Sequence, residues 1–448
     1  MWNEKSERQR GLVVTVGALL ARAREAARPE VTGSVVGAMG LTLTIEGVSA
    51  AVGDLVDVNP GTRSLPAEVV AVSRDRLTCM PLGELSGVQS GAPVRTTGMP
   101  LQVPVGQALL GRVLDGLGRP IDGGPPLGVG VQWVDLASET PHALARRRVC
   151  EPLPVGVRAL DTLVPIGKGQ RLGIFAGSGV GKSTLLAQIT RGTEADVRVI
   201  ALIGERGREV KEFLEENLGP EGLARTVVVV ATSDEPPLVR LKAAFVATRI
   251  AEGFRDQGRD VLLLMDSITR TAMAQREVGL SAGEPPATRG YPPSVFAMLP
   301  RLLEKAGTGA VGSITGLYTV LVEGDDHNEP IADTARSILD GHIVLTRKLA
   351  TTGHFPSIDV LESISRVASA VVPAAQMADG REARRLLGAL REVKELIEIG
   401  AYQTGTDPLV DRARLLSPVL DAFLRQPMED TTTAAEAWDM LHRLVTAA

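Results

Sequence analysis

Aromatic side chains are scarce here: three Trp, three Tyr and seven Phe make up only 3% of 448 residues, and none falls between residues 11 and 98. A domain that binds single-stranded nucleic acid by stacking bases needs such rings, so the amino-terminal part is not a base-stacking module. Cysteine is rarer still. Cys79 and Cys150 lie far apart, with neither a disulfide framework nor a zinc-type spacing, which suits a reduced, cytoplasmic chain. The five histidines (His142, His327, His342, His354 and His442) form no His-x-x-x-His pair and read as structural. No apolar run approaches the roughly 18 residues of a membrane span. The formal charge of −5 gives no global attraction to nucleic acid or anionic lipid.

The chain is too long for one ordinary core, so two or three domains are expected. Its first residues, MWNEKSERQR, are polar and are followed by the apolar run GLVVTVGALLA and a small-residue ARA. That order imitates a secretory signal. A polar tail leading into a Val/Leu-rich strand is the preferred reading, the more so once a nucleotide site follows. From residue 11 to about 98, short apolar segments such as SVVGAMGLTLTIEGVSA and AEVVAVSRDRLTCMPLG alternate with Gly, Pro and Asn, the pattern of a small barrel or sandwich. GMPLQVPVG, with two prolines, reads as the linker onward.

From about residue 150 strands alternate with helices. RLGIFA, VRVIALI, TVVVVATS, DVLLLMD, SITGLYTVLVEG and GHIVLT are near-continuous apolar strands, as a buried parallel sheet requires, and Leu238 to Gly258 reads as a helix. After about residue 370 strand signals stop. Leu386, Leu390, Val393 and Ile397 share one helical face, and two further helices follow, the last with a Thr-rich start.

The segment Ala176-Gly177-Ser178-Gly179-Val180-Gly181-Lys182-Ser183-Thr184 joins one of these strands to a helix. Its glycines let backbone N–H groups turn around phosphate at a helix N-terminus, although Ala176 stands where the usual pattern has glycine. Lys182 can reach the β- and γ-phosphates, and Ser183 can ligate Mg²⁺. The ligand so implied is MgATP. Asp266 ends an apolar strand, where α/β sheets bind ligands, and is a second oxygen for the Mg²⁺ shell. Glu205 ends another strand at the same edge. By type it is either the carboxylate that orients the attacking water or one charge in a solvated loop. Arg206, Arg270 and Arg366 are candidates to meet charge on the transferred phosphoryl group, and residue type does not choose among them.

Taken together, GIFAGSGVGKST, GERGREV, MDSITR, VPVGQALLGRVLDGLGRPIDG and AQREVGLSAGEPPATRGYPPSVFAMLPRLLEKAG resemble the type III export ATPases of flagella, relatives of injectisome ATPases and of rotary ATPase catalytic subunits. The resemblance runs from about Gly11 to the C-terminus. It implies an α/β chain with a polar tail (1–10), a β-barrel (11–98), a RecA-like P-loop core with a parallel sheet (99–370) and a C-terminal helical domain (371–448), assembled as a homo-hexamer. It implies Lys182 and Ser183 for phosphate and Mg²⁺, Asp266 as the Walker B carboxylate, and Glu205 as the catalytic glutamate. Arg206 and Arg270 match arginines that position that glutamate and the phosphates. Arg366, in LESISRV, matches an arginine finger acting on the neighbouring subunit's ATP, and Phe355 an aromatic that stacks on adenine, against the plainer reading of a core ring.

The loop from Ile399 to Asp411 matches a region facing a central channel and a coiled-coil stalk protein. Also implied are a stator-like regulator at the N-terminal region, an export gate, chaperones and export substrates, without nucleic acid. The implied location is the cytoplasm, docked peripherally on the inner-membrane export apparatus. VEGDDHNEPIADTARSILDGHIVL looks flagellar, with His327 departing from the motif, and the tail before the barrel is shorter than in many flagellar relatives. The injectisome enzyme is the nearest alternative. A Rho-like nucleic-acid motor would need the aromatics the first domain lacks, and an inactive ring scaffold would not need Glu205.

Overall fold

A computed structural model describes residues 32–59, 64–128, 130–322 and 329–447. The expected polar tail, the first apolar strand and His327 lie outside the described residues. The chain divides into two compact units, the first ending at Pro100 and the second running from Leu101.

The first unit is a closed six-stranded barrel. β1 (Thr32–Met39), β2 (Thr42–Glu46), β3 (Asp54–Val58), β4 (Leu65–Val72), β5 (Arg76–Pro81) and β6 (Pro93–Pro100) close in the order β1-β2-β5-β4-β3-β6. Of the two arrangements open to the sequence, the barrel forms because β6 pairs with both β3 and β1. Val35, Leu43, Ile45, Val56, Val58, Val69, Leu77 and Val94 fill its interior. Branched aliphatic side chains suffice for so small a lumen, which accounts for the missing aromatics. Cys79 is buried among them and its thiol is pushed up to about 12, so it stays protonated and inert. The expected linker GMPLQVPVG does carry the boundary between the units, after Pro100, but its flanks are strand: Pro100 ends β6, and Pro104 lies in β7 (Gln102–Val105), a ribbon paired with β9 (Gln132–Asp135). Proline is tolerated at strand ends and edges, where its missing N–H breaks no ladder.

The second unit is built on one twisted sheet. Its strands are β8 (Val113–Asp115), β10 (Arg171–Ala176), β11 (Val197–Ile203), β12 (Thr226–Ala231), β13 (Asp260–Asp266), β14 (Gly307–Thr308), β15 (Ser313–Leu321), β16 (Gly341–Leu345) and β17 (Ile364–Ser365). They lie in the order β17-β16-β10-β15-β13-β11-β12-β8, with β14 paired to β15 alone. All neighbours are parallel except β14 and β17. Every residue of β11 and β12 is buried, as expected of strands covered on both faces. Helices α1 (Lys182–Gly192), α2 (Pro237–Arg255) and α3 (Ile268–Ser281) connect the strands. The loops after β10, β11 and β13 therefore open at one edge of the sheet.

Three helices complete this unit: α4 (Ala374–Glu398), α5 (Pro408–Leu424) and α6 (Ala434–Thr446). Leu386 is buried, and Leu390, Val393 and Ile397 are half-buried along the same face of α4. Asp407 caps α5 by accepting from the N–H groups of Leu409 and Val410, and Thr433 with Glu436 forms a capping box on α6. Arg158 ties these helices to the core. Its guanidinium donates to Phe423 O at 2.9 Å and Asp430 Oδ2 at 2.6 Å and lies 5.9 Å from the Phe423 ring centre. A buried cation satisfied this fully holds its segment in one place.

One buried acid makes stability depend on pH. Asp161, 7% exposed in the turn Ala159–Leu163, accepts from Val155 N at 2.8 Å through Oδ1, while Oδ2 is buried without a hydrogen-bond partner among the described residues. Burial pushes its pKa up to about 7, with nearby backbone N–H groups opposing and Glu194 adding to the rise. The unfolded acid titrates near its ordinary value, roughly 3.9. As pH rises between these values the unfolded chain loses its proton first, so stability falls across that window and levels off above it. Asp161→Asn keeps the acceptor and removes the titration. Its thermal midpoint relative to wild type is expected to climb from about pH 4 to pH 7 and then hold; a difference independent of pH in melting curves would refute this account.

Candidate active site

The glycine-rich segment leaves β10 at Ala176 and enters α1 at Lys182. Gly179 and Gly181 take φ values of 73° and 85°, in the left-handed region that favours glycine. At Gly181 a Cβ would also come within 3.1 Å of the Phe355 ring. Two contacts hold the loop from outside: Ser357 Oγ donates to Val180 O at 2.5 Å, and Arg347 Nη2 donates to Ser178 O at 3.1 Å. Ser183 and Thr184 are exposed on the first turn of α1, where the helix dipole favours an anion. The loop lines an open cleft of about 580 Å³ together with Gly204, Glu205, Arg206, Glu209, Arg270 and Arg347. Val180 is the exception: it is 1% exposed and packs in the core.

Three sheet strands converge on one ammonium group. Lys182 Nζ lies 2.6 Å from Asp266 Oδ1, at the end of β13, and 3.3 Å from Glu205 Oε1, just beyond β11. β15, between β10 and β13, supplies Thr319, whose hydroxyl donates to Asp266 Oδ1 at 2.7 Å. Burial works against the charge on Lys182, but Asp266 and Glu205 outweigh it and hold its pKa above the ordinary lysine value. Burial raises the Glu205 pKa; Asp266 and a hydrogen bond that the protonated carboxyl donates to Glu209 add to the rise, and Lys182 opposes it. A carboxyl raised in this way is a better proton acceptor near neutrality than an ordinary glutamate.

The arginines are distributed differently. Arg270, in the first turn of α3, runs beneath Gly204, whose φ is 71° and where a Cβ would meet the Arg270 side chain at 3.0 Å. Its Nε is buried at the cleft without a partner among the described residues. Arg206 is exposed at the cleft mouth, 3.5 Å from Glu209. Arg366 is absent from this cleft. It follows β17, its N–H donates to Asp340 O at 3.0 Å, and Asp340 in turn bonds Arg171 at the start of β10. That is the edge of the sheet opposite the glycine-rich loop, and the Arg366 side chain is exposed there. Phe355 does not line the phosphate cleft but lies against Gly181, 43% exposed, so it is not a core ring.

Sequence reasoning missed Thr319, Arg347 and Glu209. Thr319 is one of four hydroxyl residues in β15, with Ser313, Thr315 and Tyr318, and nothing local set it apart, whereas Arg347 stands just past the carboxyl end of β16, where α/β sheets bind ligands. Of these two, the position of Arg347 carried a signal. Glu209 carried none, being one of several charges in GERGREV.

The chain matches the model of the ATP synthase alpha/beta family, nucleotide-binding domain, over residues 156–365, and that of the T3SS EscN ATPase C-terminal domain over 372–443. It is 50% identical to the Flagellum-specific ATP synthase of Pseudomonas aeruginosa, over 92% of each chain. It is equally 50% identical to the Type 3 secretion system ATPase of Xanthomonas euvesicatoria, over 91% of this chain and 93% of the relative. Among solved structures, the assembled ATPase EscN of enteropathogenic E. coli, in complex with its central stalk EscO, superposes with a TM-score of 0.87 at 44% identity, covering 92% of this chain and all of that one. The chain belongs to the family of flagellum-specific and type III secretion ATPases. It is an ATP-hydrolysing enzyme that energises type III protein export, and none of its described helices is long and apolar enough to cross a membrane.

Lys182→Ala leaves Asp266 and Glu205 without their shared cation. ATP affinity measured by calorimetry is expected to fall below detection. The unliganded protein should also lose stability by up to about 3–5 kcal/mol, the cost of breaking a buried pair. Unchanged ATP binding would remove Lys182 from the phosphate site.

Proposed function

We propose that this chain hydrolyses MgATP as a subunit of a homo-hexameric ring on the flagellar branch of export, each nucleotide site being finished by Arg366 of the neighbouring copy. The observation that carries the reading is Lys182 held between Asp266 and Glu205 at the end of the glycine-rich loop. An arriving triphosphate competes for that ammonium group and releases the two carboxylates for their own tasks. The oxygens of Ser183 and Asp266 suit Mg²⁺, which takes few protein ligands and shares the substrate phosphates. Bound there, the metal neutralises charge developing on the phosphates. Glu205 orients the attacking water and accepts its proton, with Glu209 and Arg206 beside it. Arg270 steadies this edge of the site from under Gly204, and Phe355 offers its exposed face to adenine.

The place of Arg366 supports action in trans, because the whole length of the strands separates it from its own loop. EscN is described as assembled and as bound to a central stalk. Here the loop from Ile399 to Asp411 is mixed in polarity, with exposed apolar side chains at its start, Ile399 76% and Leu396 in α4 47% accessible. A coiled-coil stalk lying against the tip from Ile399 to Asp411 fits that exposure. A stator-like regulator would act at the N-terminal region, and the export gate, chaperones and export substrates complete the setting at the cytoplasmic face of the inner membrane. The injectisome reading keeps one observation in its favour, the equal identity to the Xanthomonas enzyme.

Specific ATPase activity measured against protein concentration tests the proposal. Wild type should rise with concentration. Arg366→Ala should stay about 10³-fold or more below the wild-type plateau, the scale of an arginine finger. Glu205→Gln should bind ATP normally yet turn it over at least about 100-fold more slowly. Concentration-independent activity shared by wild type and Arg366→Ala would end the trans-acting reading.

A further inference from the structure

Among the described residues none anchors the Arg366 side chain, so its aim depends on the segment that carries it. That segment is stitched to the sheet on one side: Ser363 Oγ accepts from Val344 N at 2.9 Å, β17 pairs with β16, and Arg366 N–H bonds Asp340 O. On its other side stands α4. Arg384 and Arg391 are seven residues apart, two helical turns, and so project from one face. Arg384 Nη2 donates to Leu163 O at 2.8 Å and to Ser363 O at 3.0 Å. Arg391 reaches Asp359 Oδ1 at 2.6 Å and Glu362 Oε1 at 3.1 Å. Asp359 Oδ1 in turn accepts from the N–H groups of Leu361 and Glu362, so Arg391 grips the turn that leads into β17.

Close packing alone does not set this spacing. A groove of about 210 Å³ separates α4 from the segment, lined among others by Thr162, Ser363, Ile364, Met377 and Gly380. A Cβ built on Gly380 would make ordinary contacts with Thr162, Trp438 and Leu163, none of them in the finger segment. Ala383 and Leu386 of α4 share one core with Val360, while the directed contacts from α4 to the segment are those of Arg384, at the groove, and Arg391, at the turn before β17.

We infer that Arg384 and Arg391 are positioning residues for Arg366, coupling the attitude of α4, and hence of the exposed tip at Ile399, to the finger segment. The inference rests on the trans-acting reading of Arg366. Arg391 is the more informative residue to change. Its side chain is 46% exposed, and ion pairs so placed contribute little to stability, so the variant should fold.

The test uses the full chain at a concentration where wild-type specific activity has reached its plateau, with Lys182→Ala as background. Arg391→Ala is expected to lower kcat about 10-fold, within the range caused by misplacing a catalytic group by an ångström or less. KM for ATP should stay within about two-fold, because Arg391 touches no nucleotide group. Arg391→Lys should recover part of the loss. Added to Arg366→Ala, Arg391→Ala should have no further effect, since its target is already gone. Wild-type kcat in Arg391→Ala, or a further multiplicative loss in the double variant, would overturn the coupling. Wild-type activity in Arg366→Ala alone would instead overturn the finger reading beneath it.

Discussion

The second unit is organised around one electrostatic constraint: a single lysine shared by two carboxylates that arrive from different strands. Lys182 can meet Asp266 and Glu205 only if β10, β13 and β11 end at the same edge, and only if β15 brings Thr319 between them to hold Asp266. Parallel strands in this order satisfy that requirement, because every strand then presents its carboxyl end to one side. The near-continuous apolar character of β11 and β12, broken by Arg198 and Thr226, follows from the same need. A sheet that must point its loops one way is wound with helices on both faces, and its strands are buried throughout.

On the proposed reading, a site arranged like this is equipped for binding and needs a further cation for the transition state. The charge that develops on the transferred group needs cations on several sides; of the three arginines lining the same cleft, Arg206 and Arg270 stand near Glu205, and Arg347 is tied to Ser178 O in the loop. Arg366 is carried at the other end of the sheet by a short antiparallel strand, held to the sheet by backbone bonds and to α4 by Arg384 and Arg391. On the proposed trans-acting reading of Arg366, separation of the two halves of the chemistry between opposite edges would make an isolated copy a poor catalyst and give assembly a direct chemical consequence. Arg158 ensures that the helices α4 to α6 are not a loose appendage to this arrangement, since its bonds to Phe423 and Asp430 cross from core to helices.

Much of this was legible in the residues. Apolar runs ended by turn residues marked the strands β10 to β13 nearly to their ends, and the 3.6-residue spacing of Leu386, Leu390, Val393 and Ile397 marked α4. The helix read as Leu238 to Gly258 spans Pro237–Arg255, a boundary error of the ordinary kind. The prolines of GMPLQVPVG misled about its flanks, because proline signals a missing donor and edge strands have donors to spare. Glu205 and Phe355 had two readings each on residue type alone, and family resemblance chose between them where composition did not.

The amino-acid sequence by itself determined the phosphate loop, the strand-ending position of Asp266 and the alternation that makes an α/β core, because these depend on neighbours a few residues apart. Only the tertiary structure decided that the first unit closes into a barrel, that Thr319 and Arg347 belong to the site, and that Arg366 lies away from it. Those facts depend on strand order and on which edge each loop reaches. Strand order is set by burial summed over the whole sheet, and no local stretch of sequence carries it.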